Sequence, residues 1–462
     1  MSAPRCEIES IGRRFRSGAL SCEVLTRACL EGIRSLDPTI RAFITVCEES
    51  AIDAARARDR ELTAGHDRGA LHGIPIVYKD NIDTAGIRST VGSKLFENRV
   101  PNFDADVVTS LARAGTVMLG KANMNEFAAG GPGGFNKFFG STRNPWNVEH
   151  ESGGSSSGSG AAVAAGLCLG GIGSDSGGSI RGPASHMGIV GVRPTIGRVS
   201  NKGVFPRAPT LDTCGPLART VPDAALLLGS LLEEDVLGAA TARASEGRLD
   251  AFRIGLIADY VAHEVDSEVA AAFSDAVATL KGLGAEIVAI EFPELQSGRV
   301  AVAAADLLVY EFREVFGEIY RGIADPQLVG PVVHRDMAKA TGVDATQYQE
   351  AVRTRQVLSR RLDDLFKRVD AMATPTMPAP APLIGQPDLS GNHRRFTIPF
   401  SFAGQPALSM PCGFSAAGLP IGLQLVGAKF QEARLVQIAL AYEKAAQARC
   451  IRPPYYLPIA EE

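Results

Sequence analysis

GGSSSGSGAAVAAGLCLGGIGSDSGGSIRGPAS, residues 153–185, holds two clusters of glycine and serine around an apolar run. Gly/Ser-rich stretches are commonly flexible linkers. The middle of this one argues otherwise, because AAVAAGLCLGGIG reads as a short helix passing into a buried strand. The second cluster, S-D-S-G-G-S-I-R at 174–181, then falls at the end of that strand, where open α/β sheets place their catalytic groups.

Outward from this stretch, apolar β-rich runs alternate with helical segments. The runs are GIPIVYK (73–79), GTVMLGK (115–121), FRIGLIAD (252–259) and AEIVAIEF (285–292), and their alternation with helices indicates an α/β layer fold. Residues 21–62 carry apolar positions at helical spacing with Pro38 interrupting, which predicts two helices before the first strand. Asp266 caps a predicted helix with Val269, Phe273, Val277 and Leu280 on one face. Residues 232–251 read as a surface connection between an earlier catalytic half and a later half. VDAMATPTMPAPAPLIGQP (369–387) runs from a short strand into a Pro-rich wall. PALSMPCGF (406–414), IGLQLVG (421–427) and a helix near 431–447 close the chain, so the sheet is expected to be mixed.

The bulk numbers exclude several classes. The 462 residues are 45% hydrophobic and 21% charged, with a formal net charge of −4 and no basic stripe, so direct nucleic-acid binding is not expected. No apolar segment is long enough to span a bilayer, and MSAPRCEIES lacks a signal-peptide core, which places the protein in the cytoplasm with no membrane partner. Eight cysteines without a C-x-x-C and seven scattered histidines suggest neither a disulfide framework nor a metal site.

Two motif matches fail on context. G-S-S-S-G at 154–158 fits a nucleophile elbow centred on Ser156, but TRNPWNVEHES before it is not the strand that the elbow requires. GTVMLGKA at 115–122 fits a P-loop except for Ala122 at the hydroxyl position, and its middle is apolar, so Lys121 reads as a strand-end charge.

Gly177 and Gly178 allow the main chain to approach a ligand closely, so that successive N–H groups point at one oxyanion. Ser179, beside them near a helix start, is the candidate nucleophile, and Ser155 in the first cluster offers a second hydroxyl. No histidine lies near either cluster. Lys79, after the apolar run IPIVY, is the candidate base, because burial favours the neutral amine. Most lysines are merely solvated, so this choice rests on the need for a base.

With Lys79, Ser155 and Ser179 in view, the sequence resembles the amidase signature family. LHGIPIVYKDNIDTAG (71–86), residues 153–185, RPTIGRVSNKGVFPRAPTLDTCGPLARTVPDAA (193–225) and PALSMPCGF with GLPIGLQLVG carry the likeness. The resemblance implies a single domain over 1–462 with a mixed, mostly parallel central sheet covered by helices on both faces. Its implied parts are a helical 1–70, a catalytic core at 71–230, a more variable substrate-pocket part at 231–405 and a completing 406–462. It implies Lys79 as catalytic lysine, Ser155 as the bridging serine after a cis peptide bond, and Ser179 as the acylated nucleophile. It also implies an oxyanion hole from the N–H groups of Ser176, Gly177, Gly178 and Ser179, with Ser156, Asp175 and Arg181 bracing the site.

The implied activity is hydrolysis of a small-molecule amide through an acyl-enzyme, without metal or cofactor, in a possible homodimer. The glutaminase subunit of a tRNA-dependent amidotransferase is the alternative, as is cleavage of a carbamate or ester. Gly182 stands where that glutaminase branch generally has Gln, and Ser157, Gly160 and Ser176 are smaller departures. The acyl pocket is expected among the 124–136 loop and the Pro-rich wall, at Ala128, Phe135 and Met377. Phe400 and Phe402 are either nearby or core residues, and Arg394 with Arg395 either binds a substrate carboxylate or is an exposed basic pair.

Overall fold

Each apolar run expected to form a strand does so. The computed structural model describes residues 7–131, 133–242, 247–295, 298–386, 393–446 and 451–458. Its strands are β1 (Phe43–Val46), β2 (Pro75–Lys79), β3 (Val117–Ala122), β4 (Arg143–Asn144), β5 (Asn147–Glu151), β6 (Gly170–Asp175), β7 (Val190–Arg193), β8 (Thr213–Ala218), β9 (Arg253–Leu256), β10 (Glu286–Ala289), β11 (Ala371–Pro375), β12 (Ala407–Phe414) and β13 (Pro420–Gly427). β4 and β5 form a small ribbon; the other 11 strands form one sheet in the order β1-β3-β2-β6-β8-β7-β12-β13-β11-β9-β10.

The sheet is mixed, as expected. Parallel ladders join β2 to β3 and β6, and β9 to β10 and β11, towards the two flanks. The centre, from β6 through β8, β7, β12 and β13 to β11, is antiparallel.

Helices cover both faces, and the glycines of GGIG explain how. Successive strand residues point to opposite faces. A Cβ built on Gly171 or Gly173 would meet Ser159 or Ser156, at the helix Ser157–Ala164, within 2.8 Å, whereas one on Gly170 would meet Leu227 of the helix Val221–Leu232 at 2.6 Å. Both helices therefore pack directly on β6, and larger residues there would push them away.

The N-terminal part differs from the sequence reading. Pro38 lies inside the helix Cys22–Ile40, and that helix ends at Arg41, which is left-handed (φ 57°). Pro38 forgoes one i→i−4 hydrogen bond and crowds the carbonyl four residues back, yet the helix continues two residues beyond it before Arg41 ends it. The next element is β1, not a second helix: FITV is too short to signal a strand alone, and pairing with β3 makes it one. The second helix, Glu48–Thr63, follows, and Glu7–Arg16 adds an unpredicted one.

Lys121 is also corrected. It is fully buried in β3, donates to the Ile82 carbonyl and to Ser89 Oγ (3.0 Å), and burial pulls its pKa down to about 8. The expected connection at 232–251 contains the helix Val236–Thr241, with Val236 and Ala240 buried, while 243–246 lie outside the described residues. Cys22, Cys29, Cys47, Cys168 and Cys214 are buried free thiols. Among the described residues no helix is long and apolar enough to cross a membrane.

Candidate active site

β2 lies between two parallel neighbours and is buried along its whole length. Its last residue, Lys79, therefore has no route to solvent and is 0% exposed. Its Nζ donates to Ser155 Oγ at 2.7 Å and to Ser174 Oγ at 2.8 Å. Burial pulls its pKa down to about 7, against the opposing pull of Cys214, Asp212 and Asp175.

The two serine clusters meet at this lysine. The Gly154–Ser155 peptide bond is cis. The Ser156 N–H donates to the Ser179 carbonyl at 3.1 Å, which seats the clusters side by side. Ser155 is buried, and Ser179 is half-buried just before the helix Arg181–Met187. The hydroxyl of Ser156 bonds the carbonyl and N–H of Ser174 at 3.1 and 3.2 Å, so it fastens main chain to main chain. That engagement also removes Ser156 as an elbow nucleophile.

Asp175 organises the loop that carries Ser179. Its carboxylate accepts from Arg181 Nε and Nη2 (both 3.1 Å), Arg193 Nη1 (3.2 Å), and the N–H groups of Gly178 (2.7 Å) and Ile180 (3.2 Å). Burial opposes its charge, yet the two guanidiniums and the Gly178 N–H hold it well below the usual carboxylate range. One expectation changes here. The Gly178 N–H is already donating to Asp175, so the donors left open to an oxyanion are those of Ser176, Gly177 and Ser179, which have no protein acceptor among the described residues. Gly178 remains indispensable to the turn: its φ is +123°, and a Cβ there would lie 2.3 Å from Thr397 Oγ1.

Several residues of the site were not singled out in the sequence. Ser174 receives Lys79 and also Asn81 Nδ2 at 3.1 Å. Arg193 completes the Asp175 cluster, Asp212 accepts from the Ser176 hydroxyl, and Thr397 Oγ1 donates to the Gly177 carbonyl at 2.9 Å. Ser174 stood in the quoted cluster, but its role depends on strand pairing.

The expected pocket residues are divided. Met377 lies beside the helix that follows the Ser179 loop: a Cβ built on Gly182 would be 3.6 Å from its Sδ and 3.8 Å from the Gly154 carbonyl. The Pro-rich segment carrying it is held by Glu151 N–H to Pro382 O and Ile384 N–H to Glu149 O, both 2.9 Å, while Pro387 lies outside the described residues. The loop bearing Ala128 and Phe135 is joined to the site through the Asn125 N–H, which donates to the Ser155 carbonyl at 3.3 Å. Phe127 and Ala128 are both left-handed (φ 49° and 52°), and the Phe127 ring is fixed among Phe96, Phe205, Phe312 and Phe316. Phe135 lines a small cavity with Asn125, Ala129 and Val332; Pro132 lies outside the described residues. Phe400 and Phe402 are fully buried core residues.

A mixed α/β sheet with these loops at its strand ends defines the amidase-signature class of enzymes. The Amidase family model matches residues 24–436. A curated relative, a glutamyl-tRNA(Gln) amidotransferase subunit of Prochlorococcus marinus, is 38% identical over 96% of this chain and 98% of its own. A crystal structure of an amidase superposes with a TM-score of 0.87 at 30% identity, covering 95% of this chain and 99% of that one. The corresponding glutamyl-tRNA(Gln) amidotransferase subunit from Thermotoga maritima gives 0.76 at 33% identity, covering 94% and 96%. The chain belongs to the amidase family.

Proposed function

We propose that this protein cleaves an amide C–N bond through an acyl-enzyme on Ser179, with Ser155 and Lys79 as the proton relay. The observation that carries this reading is the 2.7 Å contact from Lys79 Nζ to Ser155 Oγ at a buried strand end. Ser179 Oγ attacks the carbonyl carbon; its proton passes to Ser155, and that of Ser155 to neutral Lys79. The carbonyl π pair moves onto oxygen, which faces the open N–H groups of the 176–179 loop. Collapse breaks the C–N bond as the relay returns a proton to the leaving nitrogen, and water then hydrolyses the ester by the same relay.

Product release from glutamine, short aliphatic amides, aryl amides and carbamates, each run beside Ser179→Ala, tests this reading. Release is expected from the wild type and lost in the variant. Equal release by both removes the proposal.

Because the neutral amine is the active form, kcat/KM is expected to rise about tenfold per pH unit below about 7 and level off above it. A rate that is flat through neutrality contradicts Lys79 as the base. Ser174 acts as a positioning residue for that amine. Ser174→Ala removes an acceptor that favours the ammonium, so the rising limb should move to lower pH while kcat falls by roughly 10-fold or more. An unmoved limb in the pH–rate profile would assign Ser174 a merely structural part.

A second reading, the glutaminase subunit of a tRNA-dependent amidotransferase, draws direct support from the curated relative and its near-complete coverage. Gly182, where the family resemblance puts Gln in the glutaminase branch, favours the first reading. Glutamine hydrolysis that appears only when partner subunits are added would decide for the second reading.

A further inference from the structure

Arg394 and Arg395 are adjacent in sequence but differ in environment. The Arg395 guanidinium is consumed by the main chain, donating to the carbonyls of His263 and Tyr260, and it lies 4.9 Å from the Tyr260 and Phe396 ring centres. Arg394 is half-buried, and among the described residues its guanidinium has no hydrogen-bond or ion-pair partner.

That guanidinium is lodged between the two loops of the site. Its Nη1 lies 3.7 Å from a Cβ built on Gly177, and its Nη2 lies 3.4 Å from one built on Gly130. The segment that carries it is stapled to the catalytic loop, because Thr397 Oγ1 donates to the Gly177 carbonyl (2.9 Å) and lies 3.3 Å from the Arg394 carbonyl.

Its neighbours leave an excess of positive charge. Arg207, 6% exposed, pairs with Asp336 at 2.6 Å and lies over the Phe312 ring at 4.0 Å, but its Nη1 is buried without a hydrogen-bond partner. Arg335 shares the same Asp336 at 2.9 Å and donates to the Gly130 carbonyl at 3.0 Å. Among the described residues, Asp336 thus serves two guanidiniums, with that of Arg394 a third nearby. The other acids nearby are engaged, Asp175 by Arg181 and Arg193, and Asp212 by the Ser176 hydroxyl and the N–H groups of Arg207 and Ala208. Burial lowers the pKa of both Arg394 and Arg207, which is the cost an anionic ligand would relieve.

We propose that Arg394, backed by the free Nη1 of Arg207, binds a carboxylate on the acyl side of the substrate, so that the preferred substrates are monoamides of short dicarboxylic acids. This inference rests on the acyl-enzyme reading for turnover but not for binding. The guanidinium fork suits a carboxylate, and its place beside Gly177 puts that group next to the oxyanion loop.

Binding of succinamate and of its neutral counterpart butyramide to Ser179→Ala, measured by calorimetry, tests the proposal without any turnover. Succinamate is expected to bind about 10–100-fold more tightly, and Arg394→Ala in that background to abolish the difference. Arg395→Ala serves as the neighbouring-charge control and should keep it. Equal binding of the two amides by the Ser179→Ala protein overturns the proposal, as does a preference that survives in Arg394→Ala. If succinamate binds selectively but the wild type does not hydrolyse it, the carboxylate site stands and the acyl-enzyme reading fails.

Discussion

Lys79→Met gives a folded protein whose turnover is lower by about 10⁴-fold or more, the scale seen when one member of a nucleophile–base unit is removed. Methionine nearly matches the lysine stem in volume, and it removes an amine that is 0% exposed. Ser174 Oγ keeps Asn81 Nδ2 as a partner at 3.1 Å, so the loss of Nζ does not strand it. Ser155 Oγ does lose its donor, but the variant also removes a lysine whose pKa burial pulls down to about 7, and that shift opposes folding at neutral pH. The unfolding midpoint should therefore hold or rise while activity collapses. The Lys79→Met/Ser179→Ala double variant should be no slower than the slower single variant, because the two groups act as one unit. Turnover within tenfold of the wild type in Lys79→Met would rule out the relay.

Much of this first prediction is legible in the sequence. IPIVY before Lys79 marks a buried strand whose final residue cannot escape its surroundings, and the absence of a histidine near the serines directs attention to a lysine. The glycines of 170–178 likewise announce close packing. What they pack against is not announced: Leu227 and Ser159 approach β6 from opposite faces only in the folded chain.

Asp175→Ala is expected to destabilise the fold by roughly 3–5 kcal/mol, since truncating one partner of a buried ion pair leaves the other charge uncompensated. Here two guanidiniums lose their carboxylate, and Arg181, Arg193 and Asp175 all have side chains at 0% exposure. The N–H groups of Gly178 and Ile180 lose their acceptor at the same time. Asp175→Asn keeps an acceptor oxygen and should cost less. The pH dependence has a definite sign. The folded-state pKa of Asp175 is depressed, so its contribution is fully present above the ordinary Asp value of about 3.9 and is lost as pH falls below it. Denaturant unfolding at neutral and acid pH checks this: the gap between wild type and Asp175→Asn should narrow in acid. A gap that is small at neutrality would mean that the loop is held by other contacts.

Asp175 and Arg181 were named in advance only because the family resemblance implies that they brace the loop. Arg193, on β7, was not, and the donation of the Gly178 N–H to Asp175 could not be foreseen from the glycine itself. A glycine reports only that the main chain is free to adopt an unusual conformation; the acceptor its N–H finds is set by the neighbouring side chain.

The sequence by itself determined β2, β3, β6 and β9–β13, the α/β class, and the lysine and serines drawn together at one place, because periodicity and the special conformations of Gly and Pro are local properties. Tertiary structure alone decided that Pro38 stays within its helix, that Lys121 is buried, and that Ser174 receives Lys79. It alone also separated Arg394 from Arg395. Thr397 meets Gly177 across 220 residues and Arg181 meets Gln424 across 243. Contacts of that span follow from strand order and register, and a hydroxyl or guanidinium looks the same in sequence whether its partner is water, main chain or substrate.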